Sequence, residues 1–463
     1  LRRAAAAGLA LLLPACSRTE PEKASPPATG DFAEGALRLD LRQRVAGLAT
    51  DFALERIRYE PKWSGRLEQL ADGLGWGDYR LSIYDPGREA LLFWHGFDTG
   101  IDPRARSATT RLALRFPVPR RPVRAAIERR RGAEGFHAVS TFTIDPGGGD
   151  IDRSAPAFAT RVDTILASGR AGQTADLAIL GDGYREHEYG KFVDDARHAA
   201  GYLFSVEPFR KRRGDFNVHS VFAASADSGV TDPYLGLSRD TVFRCAYGSG
   251  GAERTLAEGN HPAVREVASV VPYDFLIVLA NARRYGGSAY FGGPAVVAAD
   301  SAEARYLVIH ELAHAIAGLA DEYYIPDAHG PAVFGNVEPW HSNVTISPAS
   351  GKWGAVPPEP TPWNKAEYER YFADYVRRYE RLRERGAEEA AVEKFLETER
   401  RRQAALLAKN ANPRRAGYYE GANGFAKGAF RAEPDCIMFS LQTDYFCAAC
   451  SAAIERAIDW HCL

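Results

Sequence analysis

Residues 301–324 read SAEARYLVIHELAHAIAGLADEYY, and their periodicity predicts a helix over residues 303–318. Ser301 stands at a plausible N-cap, Glu303 falls in the first turn, and Gly318 lets the helix stop. Residues four apart share a helix face, so His310 and His314 can offer both imidazoles to one ion. Glu311 lies beside them without being a ligand, where a carboxylate can take a proton from water at a metal. The flanking YLVI and AIAGL segments are apolar, which suits a helix buried behind a cleft better than an idle pair of surface histidines. The reading is a zinc site with Glu311 as general base. After Gly318 the chain can swing back, which makes Asp321 the expected third ligand; Glu322 and His341 are the alternatives.

Working outward from this helix, strands alternate with helices from about residue 160. Residues 175–180 form a continuous apolar run that ends in Gly181-Asp182-Gly183, and residues 216–223 and 273–280 (YDFLIVLA) are further buried strands. Residues 285–290, rich in Gly and Tyr, predict an edge strand. Residues 365–409 differ in kind. They alternate Glu and Arg densely, carry Tyr368, Tyr371, Phe372, Tyr375 and Tyr379 at helical spacing, and are interrupted by Gly386. A charged helical hairpin laid on the catalytic domain accounts for this pattern, its aromatic stripe serving as packing.

Between residues 37 and 158 short alternating or apolar runs recur at 79–84, 90–97, 110–116, 124–128 and 137–144, separated by turn clusters such as Asp85-Pro86-Gly87. That spacing predicts a small β-sandwich. Residues 17–36, rich in Pro, Ser, Glu and Lys, predict a flexible linker. Before it, Arg2, Arg3 and the apolar run 4–13 have the pattern of a secretory signal, and Leu13-Pro14-Ala15-Cys16 resembles the lipobox of bacterial lipoproteins. The expected location is an exported lipoprotein, periplasmic or at the cell surface, with Cys16 lipidated and no other membrane contact.

Across 463 residues the net charge is −2, so no basic field argues for nucleic acid or an anionic membrane as partner. Six cysteines include Cys16; Cys436, Cys447, Cys450 and Cys462 crowd the C-terminus. In an oxidising compartment these read as two disulfides, with a structural zinc at Cys447-x-x-Cys450 as the rival.

The stretch from His310 to Tyr323, HELAHAIAGLADEY, resembles the signature of the IgA-peptidase (igalysin) family of zinc metallopeptidases, and more distantly the metzincin pattern. Met438, the single methionine, sits in Asp435-Cys436-Ile437-Met438-Phe439-Ser440, which is similar to a metzincin Met-turn. Tyr419-Glu420-Gly421-Ala422 and Phe446-Cys447-Ala448-Ala449-Cys450 also look like landmarks of the family. The resemblance implies an α+β, zincin-like domain over residues 160–463, with the Met-turn at 436–440 under the metal and 365–409 as an insertion. It departs where metzincins often carry a tyrosine two residues after the methionine, because Ser440 stands there; Tyr323, Tyr324 and Tyr419 are the substitutes to consider. The function expected is a zinc endopeptidase acting on a protein or peptide. The alternatives are a catalytically silent zincin-fold surface-binding lipoprotein and a zinc amidase acting on cell-wall peptides.

Overall fold

The computed structural model of the protein describes residues 29–462, apart from 48, 68–69, 102–104, 327–336, 355, 357–358 and 411–412. The signal segment, Cys16 and most of the expected linker therefore lie outside the described residues.

The first domain contains β1 (Phe32–Ala46), β2 (Ala49–Glu60), β3 (Tyr79–Asp85), β4 (Ala90–Phe97), β5 (Ser107–Pro119), β6 (Val123–Arg130), β7 (Phe136–Ile144) and β8 (Ile151–Asp152). They form two four-stranded sheets, in the orders β5-β1-β2-β8 and β4-β3-β6-β7. Leu37, Leu39, Leu41, Ile83, Phe116 and Ile127 are among the side chains of their shared core. β1 begins at Phe32 and takes in the last residues of the segment read as linker. The sequence runs named above omitted β1 and β2, whose alternate positions are charged. Their physical explanation is burial on both faces. Leu37, Leu39 and Leu41 point into the sandwich, while Arg38 and Asp40 on the opposite face are also buried. Arg38 bonds Asp40 at 2.7 Å and Glu60 at 2.9 Å, and its guanidinium lies 3.7 Å from Glu266 of the second domain.

The second domain continues with β9 (Arg161–Leu166), β10 (Ala175–Asp182), α1 (Tyr189–Leu203), β11 (Phe216–Phe222), β12 (Ala246–Tyr247), β13 (Leu256–Ala257), α2 (His261–Ala268), β14 (Phe275–Ala280), β15 (Gly287–Ser288) and β16 (Ala295–Ala298). Then come α3 (Ala304–Ala317), β17 (Val344–Thr345), α4 (Lys365–Glu384), α5 (Glu389–Leu407), β18 (Tyr419–Ala422), β19 (Phe425–Arg431) and α6 (Ala448–His461). The main sheet runs β15-β16-β14-β10-β11-β9. Its four inner strands are parallel, and the short β15 and β9 close the edges antiparallel. The fold is α+β. The expected edge strand is only two residues long, and its outer side already bridges Thr255.

Nearly every residue of α3 is buried, as its apolar composition requires. The helix starts one turn after Ser301, whose Oγ accepts the Glu303 N–H at 3.2 Å, so the cap position falls on Glu303 and not on Ser301 as expected. It ends at Gly318, in the left-handed region with φ +54°.

α4 and α5 form the antiparallel hairpin expected of 365–409, with Tyr375 stacked on Phe395 between them. Arg254 pairs with Glu389 and Glu393, and Arg284 with Glu389, so the hairpin is fastened to loops beside β13 and β15. Among the described residues no helix is long and apolar enough to cross a membrane.

The two disulfides expected at the C-terminus do not form. Cys245, Cys436, Cys447, Cys450 and Cys462 are all free. Cys450 lies in the first turn of α6 and Cys462 follows the helix's end, a helical span of about 18 Å. A bridge tolerates Cα atoms only about 7 Å apart. Cys462 points instead at the Asp215 carbonyl.

Candidate metal centre

On α3, His310 and His314 bring their Nε2 atoms to 3.1 Å of each other. Gly318 then reverses the chain, and Asp321 returns so that its Oδ1 lies 3.2 Å from His310 Nε2 and 3.3 Å from His314 Nε2. Both imidazoles are fixed from behind. His310 Nδ1 lies 3.1 Å from the Ile437 carbonyl, and His314 Nδ1 lies 2.5 Å from the Leu319 carbonyl. A carbonyl only accepts, so each Nδ1 carries a proton and each Nε2 is left as the nitrogen that faces the centre. Tyr306 Oη packs at 2.9 Å on the same His310 Nδ1.

Three potential ligand atoms thus converge on one point. Vertices about 3.2 Å apart belong to a tetrahedron whose centre is about 2.0 Å from each, the distance zinc takes to imidazole and carboxylate. The donor set fits a divalent ion, and the buried Asp321 Oδ1 has no hydrogen-bond donor. Burial opposes charge on these groups, yet mutual attraction wins. His314 is pushed up to about 9 by Asp321, and Asp321 is held well below the usual carboxylate range.

The competing ligands lie elsewhere. Glu322 points away from the imidazoles and into a fully buried cluster with Cys436, Cys447 and Cys450. His341 lies in the same cleft but stacks on Trp340 at 3.9 Å and is not part of the converging set. Burial, followed by the charge of Lys352, pulls it down to about 3, so it is neutral.

Glu311, 8% exposed, lies against β15, where a Cβ built on Gly287 would come 2.8 Å from its Oε1. Burial pushes its carboxyl up, and the two imidazoles pull it back. Met438 is fully buried, its carbonyl accepts the Glu322 N–H at 2.7 Å, and the neighbouring Ile437 carbonyl holds His310. The 436–440 turn therefore lies under the site. Of the three tyrosines considered, Tyr323 is exposed in the cleft and hydrogen-bonds Asp321. Tyr324 is buried against Trp363 and Tyr368, and Tyr419 donates to the Arg415 carbonyl.

The cleft, about 420 Å³, has a second wall that the sequence reading did not anticipate. Asp78, Asp98, Gly100 and Ile101 of the first domain face the metal helix across it. Trp340 Nε1 donates to Asp78 at 2.9 Å, and the Asp98 N–H donates to the Phe291 carbonyl at 2.9 Å. Only the three-dimensional docking of the domains brings these residues in, and no local pattern marks them.

A helix-borne pair of imidazoles joined by a returning carboxylate, with a spare carboxylate at its side, defines a candidate metallohydrolase centre. Residues 164–458 match the model of the family described as IgA Peptidase M64, and residues 30–141 match its Peptidase M64 N-terminus. The chain belongs to the IgA peptidase M64 family, a family of metallopeptidases. No curated protein matches the chain.

Proposed function

We propose that the protein is a zinc-dependent endopeptidase of zincin type, with His310, His314 and Asp321 holding the metal and Glu311 acting as general base. The convergence of two Nε2 atoms and Asp321 Oδ1 within 3.3 Å of one another carries this reading. Zinc at that point supplies the Lewis acidity that polarises a peptide carbonyl and acidifies a water.

The chain's own residues do the rest. Ile437 and Leu319 hold the imidazoles in the tautomer that faces the metal. Glu311 takes a proton from the attacking water at its carboxylate and returns it to the leaving nitrogen; its raised affinity for protons suits both steps. Gly287 leaves room for that carboxylate. Tyr323, on Asp321, stands where a hydroxyl can meet charge developing on the substrate. A protein or peptide is the substrate, and the cleft of about 420 Å³ between the domains is where it would bind. Export and lipid attachment at Cys16 belong to the same proposal.

Glu311→Gln tests it. Turnover of a peptide library should fall by roughly 10²–10⁴ while zinc per chain stays unchanged. Undiminished turnover would remove Glu311 from its role. Zinc in both proteins with cleavage of peptidoglycan fragments alone would make the protein an amidase.

A further inference from the structure

We infer that the protein holds a second, structural zinc ion, ligated by Cys436, Cys447, Cys450 and Glu322 directly behind the first centre. The four side chains are fully buried and present one ligand atom each within 4.8 Å of the others. Their spacing fits a tetrahedral thiolate site. Cys447 Sγ and Cys450 Sγ lie 3.4 and 3.1 Å from Glu322 Oε1. A zinc ion about 2.3 Å from sulfur and 2.0–2.2 Å from oxygen sets such edges at roughly 3.6 Å, a small adjustment from this arrangement.

Three further observations support the assignment. The Cys447 N–H donates to Cys436 Sγ at 3.2 Å, and the Cys450 N–H to Cys447 Sγ at 3.4 Å. Backbone donors aimed at sulfur stabilise thiolates, and here they come from the Cys-x-x-Cys turn that opens α6. Glu322 Oε2 is buried without any partner, a costly state that a cation relieves. Glu322 Oε1 also accepts from Asn343 Nδ2 at 3.2 Å, but one disulfide among three thiols would still leave the third thiol and Glu322 Oε2 without a partner, whereas one ion engages all four side chains. Soft sulfur donors in tetrahedral array select zinc over the harder divalent ions.

The position gives the ion a task. Glu322 follows Asp321 in the chain, and Cys436 precedes Ile437 and Met438. The Glu322 N–H donates to the Met438 carbonyl, so one ion ties together the segment that returns Asp321 and the turn that holds His310. The inference does not depend on the proposed catalysis.

The test is elemental analysis and zinc K-edge absorption on the purified full chain, the same chain with Cys447→Ser and Cys450→Ser, and the same chain with His310→Ala and His314→Ala. Two zinc ions per chain are expected, with a sulfur distance near 2.3 Å in the spectrum. The cysteine variant should hold half the zinc and lose the sulfur signal, and the histidine variant should hold half and keep it. If the cysteine variant does not fold, the parent spectrum and the histidine variant decide. A single zinc without sulfur, two zincs without sulfur, or an intact mass showing a disulfide among these cysteines would overturn the assignment. Loss of the nitrogen-bound zinc alone would count against the peptidase reading and leave this one standing.

Discussion

Gly318 is where the geometry of the metal helix can be tested most sharply. Its φ is +54°, and a Cβ built there would lie 2.4 Å from Cζ3 and 2.7 Å from Cη2 of Trp340. Gly386, in the turn between α4 and α5, has nearly the same backbone (φ +63°) with nothing within 4 Å of its Cβ position. Alanine at Gly386 should therefore cost only the left-handed conformation, about 1 kcal/mol. Alanine at Gly318 incurs the same cost and also displaces the indole. Trp340 then loses its hydrogen bond to the Asp78 carboxylate, about 1.5–3 kcal/mol. It also loses its stacking on His341, about 0.5–1.5 kcal/mol. The expected totals are about 1 kcal/mol at Gly386 and about 3–5.5 kcal/mol at Gly318. Because the Leu319 carbonyl that orients His314 adjoins Gly318, zinc affinity should also fall, by roughly 10–100-fold. Denaturant unfolding of the two variants and competition with a chelator read both quantities. Equal destabilisation with unchanged zinc affinity would refute the role assigned to the Gly318–Trp340 contact.

Three further outcomes follow from the same geometry. Gly287→Ala brings a methyl group 2.8 Å from Glu311 Oε1, so kcat should fall by at least tenfold with zinc content intact, as steady-state kinetics and elemental analysis would show. If zinc occupies the proposed site, His341→Ala should leave it in place, whereas Asp321→Ala should lower its affinity at least a hundredfold in chelator competition, since Asp321 reaches both imidazoles. Burial and then Asp78 push Asp98 up to about 7, so wild-type stability should decline as pH rises from the ordinary carboxylate range, about 4, through 7. Asp98→Asn removes that decline: the two proteins should be alike near pH 4, and the variant more stable at pH 8 by thermal unfolding.

Much of this was readable from the chain because the physics is local. HELAH sets its own spacing through the helix repeat, and the strands 175–180 and 273–280 are apolar runs flanked by turns, so both lie where their sequence puts them. The strands β3, β4, β6 and β7, alternating or apolar runs between turn clusters, were equally visible. β1 and β2 were not, because Arg38, Asp40, Arg56 and Arg58 look like residues for solvent and are instead drawn into an ion-pair network with Glu266, which lies more than two hundred residues away. The cysteines misled for a related reason. Compartment and count favour disulfides, but the three thiols meet a carboxylate, Glu322, whose arrival depends on the turn after α3. The choice between Asp321 and Glu322 rests on which way that turn faces, and adjacent acidic residues give no sign of it.

That buried network also explains how the first domain can take part in the site. A sheet that touched the second domain through apolar contacts alone could settle in several orientations of similar energy. Arg38, held by Asp40 and Glu60 and facing Glu266, admits few, since each misplaced guanidinium or carboxylate would be buried without a partner. Ser64 and Arg115 add directed bonds to the Tyr273 carbonyl, at the start of the central strand β14. The docking is fixed at that end, and the far end of the same domain carries Asp78 to Trp340 and Asp98 to Phe291. Trp340 packs on the glycine that ends the metal helix, and Phe291 follows the edge strand beside Glu311. The orientation set by the charged face of β1 therefore determines how wide the cleft stands over the metal helix. The first domain thus supplies one wall of the cleft, where Asp78 and Asp98 face the metal helix.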